Sequence, residues 1–131
     1  MDAVDVRTVL VVEDEADIAR IIGLALKLIG HWEVVTCDGA DGVDAAIARR
    51  RPDVIMLDRM LAGVDGLDVC KRLKATPQTA EIPIIFLSAK CTDSDRAAGL
   101  AAGAAGYLDK PFDPVVLADR VRGILTPNAR S

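Results

Sequence analysis

The sequence has few of the residues that build metal–thiolate centres, disulfides or aromatic binding surfaces. Among its 131 residues are three cysteines and one histidine, and aromatic residues make up 3%. Because Cys37, Cys70 and Cys91 are odd in number and widely spaced, we interpret them as free thiols in a reducing cytosol. A zinc site would need closer cysteine pairs and more histidines than His31 alone.

An excess of positive charge and long apolar runs are also lacking. The net charge of −4 argues against a nucleic-acid-binding surface on this chain, although it leaves open a separate partner domain that binds DNA. No apolar run reaches the roughly 18 residues that a membrane span requires. The first residues lack the basic and then apolar start of a signal peptide. We therefore expect a cytoplasmic protein.

Apolar residues make up 51% of the chain, enough to fill one hydrophobic core. The length fits a single domain, which we place at residues 1–131, with a core over about 7–125 and a frayed tail at 126–131. Short apolar runs alternate with stretches of helical period. Strands are predicted at 7–12, 33–36, 53–58, 82–87 and 104–108, and helices at 15–29, around 40–51, after the N-cap Asp65, after Thr92 or Asp93, and over roughly 113–125. This alternation predicts an α/β fold, a doubly wound parallel sheet with helices on both faces.

Chemically active residues stand where the predicted strands end. Glu13 and Asp14 follow the first strand, Asp58 ends the third, Ser88 the fourth, and Lys110 follows the fifth. In open α/β sheets the carboxyl edge of the strands is where ligands bind. Three carboxylates gathered there would repel one another, and a hard divalent cation such as Mg²⁺ would relieve the repulsion. A free oxygen of Asp58 could then act as a nucleophile.

Each of these residues also has a purely structural interpretation. The acidic run Glu13–Glu15 could simply favour a helix N-terminus, Asp58 could cap a loop, and Ser88 could be a turn residue. Lys110 could be a solvated lysine, and Tyr107 a half-buried strand aromatic. The joint arrangement of these residues favours the functional reading.

Four motifs in order give the chain a specific resemblance over nearly its whole length. They are Val11-Val12-Glu13-Asp14-Glu15, Leu57-Asp58-Arg59-Met60-Leu61-Ala62-Gly63-Val64-Asp65-Gly66, Leu87-Ser88-Ala89 and Gly106-Tyr107-Leu108-Asp109-Lys110-Pro111-Phe112. The chain resembles the receiver domain of two-component response regulators. The resemblance implies a flavodoxin-like (βα)5 three-layer sandwich with five parallel strands in the order 2-1-3-4-5, which makes the first and third strands neighbours.

The resemblance also implies a reaction and the residues that perform it. Asp58 would accept a phosphoryl group from a sensor histidine kinase or phosphotransfer protein. Asp14, Asp58 and the backbone carbonyl of Met60 would bind Mg²⁺, or Mn²⁺ in its place, with Glu13 acting mainly through water. Lys110 would neutralise phosphoryl oxygens. Such a domain is a phosphoacceptor switch that assists its own phosphorylation and slow dephosphorylation, and not an enzyme.

The switch implied by the family involves Ser88 and Tyr107. Ser88 would move toward the phosphoryl group and Tyr107 would turn inward, which changes the surface of the fourth helix, fifth strand and fifth helix. That surface would control an effector or output domain, or form a homodimer. The Ala- and Gly-rich fourth helix suits a mobile element, or else is a poorly packed surface helix. The family also implies a cis peptide between Lys110 and Pro111.

The sequence departs from the family pattern at Ala62, where proline is usual, at Ala105, where a polar residue is usual, and at Ser88, where threonine is commoner. None of these changes removes a reacting group. Met60 and Lys90 occupy the two positions that tune attack by water in the family. Because an apolar Met60 cannot orient a water molecule, we predict a long-lived phosphoryl group.

Three other functions share parts of this pattern. A haloacid-dehalogenase-type phosphatase would need a second acid at the position of Met60. A flavin-binding flavodoxin would need a phosphate-binding loop in place of the acidic run after the first strand. A receiver-like scaffold or dimerisation module that is never phosphorylated is the strongest alternative, and the complete set of acids argues against it.

Overall fold

In the part of the chain that the structure describes, residues 6–89, 91–110 and 112–126, five parallel strands form one sheet with α-helices in the connections. This computed structural model has the strands β1 (Thr8–Val12), β2 (Glu33–Cys37), β3 (Val54–Asp58), β4 (Ile84–Ser88) and β5 (Gly106–Asp109). The helices are α1 (Ala16–Leu28), α2 (Val43–Arg49), α3 (Gly66–Ala75), α4 (Asp93–Ala101) and α5 (Leu117–Leu125). The predicted alternation of strand and helix is confirmed.

The strand order is β2-β1-β3-β4-β5, as predicted, and all neighbouring strands run parallel. The register of the central strands decides what meets at the carboxyl edge. Val12 of β1 pairs with Leu57 of β3, so Glu13 and Asp58 leave the sheet side by side. Strand order reverses at β1 and β3, and such a switch point opens a crevice at the carboxyl ends of the strands.

Both faces of the sheet are covered, which explains why the central strands are apolar on both sides. Alternate residues of β1 point into different halves of the core. Val9 and Val11 pack with residues of α1 and α5, whereas Leu10 and Val12 pack with residues of α2 and α3. None of the described helices is long and apolar enough to cross a lipid bilayer.

Helix N-termini follow the expected capping chemistry at two positions near the carboxyl edge. The side chain of Asp65 accepts a hydrogen bond from the backbone N–H of Leu67 and caps α3, as predicted. Thr92 caps α4 and forms a reciprocal capping box with Asp95. These caps fix the first turns of both helices beside the loop that follows β3.

Three predicted boundaries are wrong for local reasons. β4 starts at Ile84 rather than Ile82, because the carbonyl of Ile82 accepts a hydrogen bond from Lys74 Nζ at 2.7 Å. β5 starts at Gly106 rather than Ala104, whose N–H donates to the carbonyl of Gly99 and closes the end of α4. The last helix starts at Leu117 rather than residue 113, because residues 114–116 form a turn that Asp113 stabilises through its side chain.

Candidate functional site

Three carboxylates meet at the carboxyl ends of β1 and β3. One oxygen from each of Glu13, Asp14 and Asp58 lies within 4.8 Å of the others. Glu13 and Asp58 are nearly inaccessible, with 2% and 5% of their surfaces exposed. Asp14 is the most exposed of the three. The cluster is therefore buried on one side and open to solvent on the other.

Lys110 provides the positive charge that faces these acids. Its Nζ donates to Glu13 Oε1 at 2.9 Å and to Asp58 Oδ2 at 3.2 Å. Although burial disfavours the ammonium form, the hydrogen bond to Glu13 and the charges of both carboxylates raise the pKa of Lys110. Burial raises the pKa of Glu13 to about 7, and the hydrogen bond from Lys110 opposes that rise. Among the described residues, Lys110 thus binds two of the three acids, and the cluster has more acidic than basic groups.

The loop after β3 holds the acids in place through backbone N–H groups. The N–H of Met60 donates to Asp58 Oδ1 at 3.1 Å, and the N–H of Ala62 donates to Asp14 Oδ2 at 3.0 Å. The loop folds back as a short hairpin, in which residues 60–61 pair with residues 64–65. Gly63 makes its turn with φ of +73°, a conformation that suits glycine. The orientation of Asp58 is therefore fixed at both of its oxygens.

Ser88 reaches the same edge from the next strand. Leu87 pairs with Asp58 across β3 and β4, so Ser88 lies one residue further toward the carboxyl edge. Ser88 is 1% exposed. Its carbonyl accepts a hydrogen bond from the backbone N–H of Lys110 at 2.8 Å, which ties the end of β5 to β4. The five residues predicted at the strand ends, Glu13, Asp14, Asp58, Ser88 and Lys110, are therefore neighbours in the structure.

The remaining predicted site residues are less centrally placed. The N–H of Met60 lies at the site, but 52% of the residue is exposed, and its side chain offers no polar group. Tyr107 is buried in β5, where its ring packs against Phe86 with ring centroids 5.6 Å apart. Lys90 and Pro111 lie outside the described residues. Their predicted roles, in tuning hydrolysis and in a cis peptide with Lys110, stay predictions.

Two residues near the site escaped the sequence analysis. Arg59 directly follows Asp58, and its guanidinium binds Asp65 and the hydroxyl of Tyr107. Gly99, one of the small residues of the Ala- and Gly-rich helix α4, lies against the ring of Tyr107. In the sequence, Arg59 differs from the apolar and small residues that follow it in the loop, and this difference was the one available sign that it has a specific role. Nothing in the spacing of the sequence connects residue 99 with residue 107.

Comparison with known proteins identifies the family to which this chain belongs. Residues 9–122 match the family model of the response regulator receiver domain. The chain belongs to that family. This result confirms the resemblance drawn from the four motifs, which assigned the chain to the receiver domains of two-component response regulators.

Full-length relatives of this receiver domain are about twice as long. It is 40% identical over 119 residues to the phosphate regulon transcriptional regulatory protein PhoB of Pseudomonas aeruginosa. It is also 40% identical over 118 residues to the probable transcriptional regulatory protein TcrX of Mycobacterium tuberculosis. The alignments cover 91% and 90% of this chain but 52% and 49% of those proteins. The chain therefore spans about half the length of these relatives.

Solved structures agree with the fold assignment. A putative response regulator from Chloroflexus aurantiacus superimposes with a TM-score of 0.83 at 36% identity, covering 92% of this chain and 98% of that one. The chemotaxis response regulator CheY4 of Vibrio cholerae superimposes with a TM-score of 0.84 at 27% identity, covering 92% of this chain and 100% of that one. The flavodoxin-like receiver fold is shared with both.

Proposed function

We propose that this receiver domain accepts a phosphoryl group on Asp58 from a histidine kinase or phosphotransfer protein, with Mg²⁺ as the cofactor. The observation that carries the proposal is the shared site of Asp58, Glu13, Asp14 and Lys110, in which both oxygens of Asp58 are held by hydrogen bonds. A carboxylate fixed beside a cation and further acids is suited to phosphoryl transfer, in which catalysis consists mainly of positioning and charge neutralisation.

The donor set fits a hard divalent cation. Mg²⁺ prefers oxygen ligands and retains several waters, and three carboxylates on a partly open edge meet both conditions. Asp14, Asp58 and the carbonyl of Met60 would hold the ion, with Glu13 acting through water, and Mn²⁺ would substitute for Mg²⁺. When bound, the ion supplies positive charge for the oxygens of the incoming phosphoryl group.

Each side chain of the site has its own role in the transfer. An oxygen of Asp58 attacks phosphorus, so an O–P bond forms while the N–P bond to the donor histidine breaks, and its electron pair stays on the imidazole nitrogen. The ammonium group of Lys110 is placed to hold one phosphoryl oxygen. The hydroxyl of Ser88 is placed to donate to another. The domain is consumed as an acceptor in each cycle, so we assign it the role of a switch and not of an enzyme.

The output of the switch is inferred from the position of α4, β5 and α5. Ser88 and Lys110 connect the site to β4 and β5. Tyr107 belongs to β5, and α4 packs beside that strand. A change at Asp58 would therefore alter the α4–β5–α5 surface, which would contact a partner or output domain or a second receiver. Because the named relatives are transcriptional regulators about twice as long, we infer a transcriptional output partner. Direct nucleic-acid binding by this domain is not expected from its net charge of −4.

Intact mass spectrometry tests the acceptor and the metal together. The wild-type protein, incubated with a small-molecule phosphodonor and Mg²⁺, should gain one phosphoryl group. The adduct should fail to form when Mg²⁺ is chelated and in Asp58→Ala. Glu15→Gln is the matched control, because Glu15 belongs to the same acidic run but lies outside the three-carboxylate cluster. It should be phosphorylated like the wild type.

A folded wild-type protein that takes up no phosphoryl group from several donors would contradict the proposal. The chain would then be better described as a receiver-like scaffold or dimerisation module. An adduct that persists in Asp58→Ala would instead show that another residue is the acceptor.

A further inference from the structure

Arg59 is the residue next to the proposed acceptor, yet its side chain does not belong to the carboxylate cluster. Only 11% of the side chain is exposed. Its Nε donates to Asp65 Oδ1 at 3.0 Å, and its Nη1 donates to the hydroxyl of Tyr107 at 3.2 Å. These bonds to Tyr107 and Asp65 outweigh burial and raise the pKa of Arg59, so the guanidinium is a permanent cation in this position.

The partners of this guanidinium belong to three different elements. Asp65 is the N-cap of α3, and Tyr107 is in β5. Asp95 completes the capping box of α4, and its Oδ1 lies 3.7 Å from Arg59 Nη1. Arg59 therefore links the first turns of two helices with the aromatic residue of β5.

The backbone of Arg59 is held as firmly as its side chain. Its N–H donates to the carbonyl of Leu87 in β4 at 3.3 Å, and its carbonyl accepts from the N–H of Gly66 at 2.7 Å. A displacement of the peptide after Asp58 must therefore be shared with β4 and with the start of α3. Because the guanidinium is anchored at its far end, that displacement would also reach Tyr107.

The surroundings of Tyr107 explain why its hydroxyl needs a hydrogen-bond partner. The residue is 7% exposed, with Phe86 beside its ring. A Cβ on Gly99 would lie 2.9 Å from Tyr107 Cδ2, so α4 leaves room for the ring only because residue 99 is glycine. A buried tyrosine hydroxyl usually has a hydrogen-bond partner, since an unsatisfied polar group in the interior is costly. Arg59 provides one such partner.

We propose that Arg59 is a positioning residue, which holds Tyr107 in its buried orientation and couples the phosphoacceptor loop to the N-terminus of α4. The first half, the positioning of the buried Tyr107, concerns the conformation described here and does not depend on a phosphoryl group. The second half rests on the proposed function, because it needs a phosphoryl group on Asp58.

Tyrosine-specific NMR tests the first half, because Tyr107 is the one tyrosine in the sequence. Protein labelled with ¹³C in the tyrosine ring should give one set of ring signals with nuclear Overhauser contacts to Phe86. In Arg59→Met, which keeps an unbranched apolar stem but removes the donors, these contacts should be lost and the signals should shift toward those of free tyrosine. Arg59→Lys has one nitrogen for two acceptors, so its ring signals should lie between.

Arg96→Met is the matched control for the ring. The guanidinium carbon of Arg96 lies 5.7 Å from the centre of the same ring, but Arg96 donates to the backbone carbonyl of Tyr107 and pairs with Asp109 at the surface. This variant should keep the contacts to Phe86. If Arg59→Met and Arg59→Lys both keep them as well, or if Arg96→Met loses them equally, the positioning role is refuted.

Hydrogen exchange of the α4 amides tests the coupling. In the wild type, phosphorylation should change the exchange rates of α4 by several-fold. In Arg59→Met the adduct should still form, as read by intact mass, but the change in α4 should be largely lost. A full α4 response in a phosphorylated Arg59→Met protein would overturn the coupling. Failure of the wild type to form an adduct would refute the proposed function instead, while the ring signals of Tyr107 would still decide the first half.

Discussion

Gly99 of α4 and Tyr107 of β5 are in direct contact, and the contact tolerates no side chain at residue 99. A Cβ there would lie 2.9 Å from Tyr107 Cδ2 and 3.2 Å from Phe86 Cδ2. The glycine that weakens α4 as a helix is therefore what allows the tyrosine to be buried. The glycine at residue 99 thus has a packing reason, while the two interpretations of α4, as a mobile element or as a poorly packed surface helix, stay predictions.

Gly99→Ala should destabilise the domain, or displace the ring of Tyr107, although alanine favours a helix by about 1 kcal/mol over glycine. Overpacking in a closely packed interior costs about 1–3 kcal/mol, which exceeds that gain. Urea unfolding gives the free energy, and the ring signals of Tyr107 report the displacement. Gly123→Ala in α5 is the control, because a Cβ there meets nothing within 4 Å. It should stabilise the protein, and equal stabilisation by both changes would contradict the packing argument.

Asp14→Asn should abolish the stabilisation of the domain by Mg²⁺. A ligand at one hundred times its dissociation constant stabilises a folded protein by about 2.7 kcal/mol, so wild-type protein should melt at a higher temperature with Mg²⁺. In chelator the variant should be at least as stable as the wild type, because it removes one of three repelling charges. Asp38→Asn, an exposed acid just after β2, should keep the full response to Mg²⁺. A normal response in Asp14→Asn would show that Asp14 is not a ligand.

Lys110→Met should slow phosphorylation and destabilise the protein. Nζ of Lys110 is hydrogen-bonded to both Glu13 and Asp58, so its loss leaves two buried carboxylates without their cation. Removing one partner from a buried ion pair costs about 3 kcal/mol. The rate of adduct formation should fall by at least about tenfold, which corresponds to about 1.4 kcal/mol of the barrier. Lys27→Met, at an exposed lysine of α1, should change neither quantity, and an unchanged rate in Lys110→Met would remove Lys110 from the mechanism.

Met60→Asn should shorten the lifetime of the phosphorylated state. The side chain of Met60 is largely exposed beside Asp58 and has no polar group with which to orient water. An amide at this position can hold a water molecule for attack, which speeds hydrolysis. The decay of the adduct, followed by intact mass without a phosphatase, should be several-fold faster than in the wild type. Met60→Leu should decay like the wild type, and rapid wild-type decay within seconds would contradict the predicted stability.

The regular elements and the edge that carries the site were predictable because both depend on local patterns. Apolar runs such as 54–57 can be satisfied only by burial on both faces of a sheet, and the helical period of α1 requires one covered face. Because all strands of the sheet run parallel, the residues at their carboxyl ends share one edge. This rule predicted that Glu13, Asp58 and Ser88 lie together. The errors lay at the starts of β4, β5 and α5, where single hydrogen bonds decide the boundary.

What the sequence by itself determined was the fold class, the carboxyl-edge location of the site and its charged residues, because backbone sterics and hydrophobic periodicity act over neighbouring residues. The tertiary structure alone decided which groups satisfy those residues. Tyr107 follows Arg59 by 48 residues, and Ala62 follows Asp14 by the same separation. Such contacts depend on how helices and loops dock onto the sheet. No spacing in the chain encodes that docking, and it is what joins the acceptor loop to Tyr107 and α4.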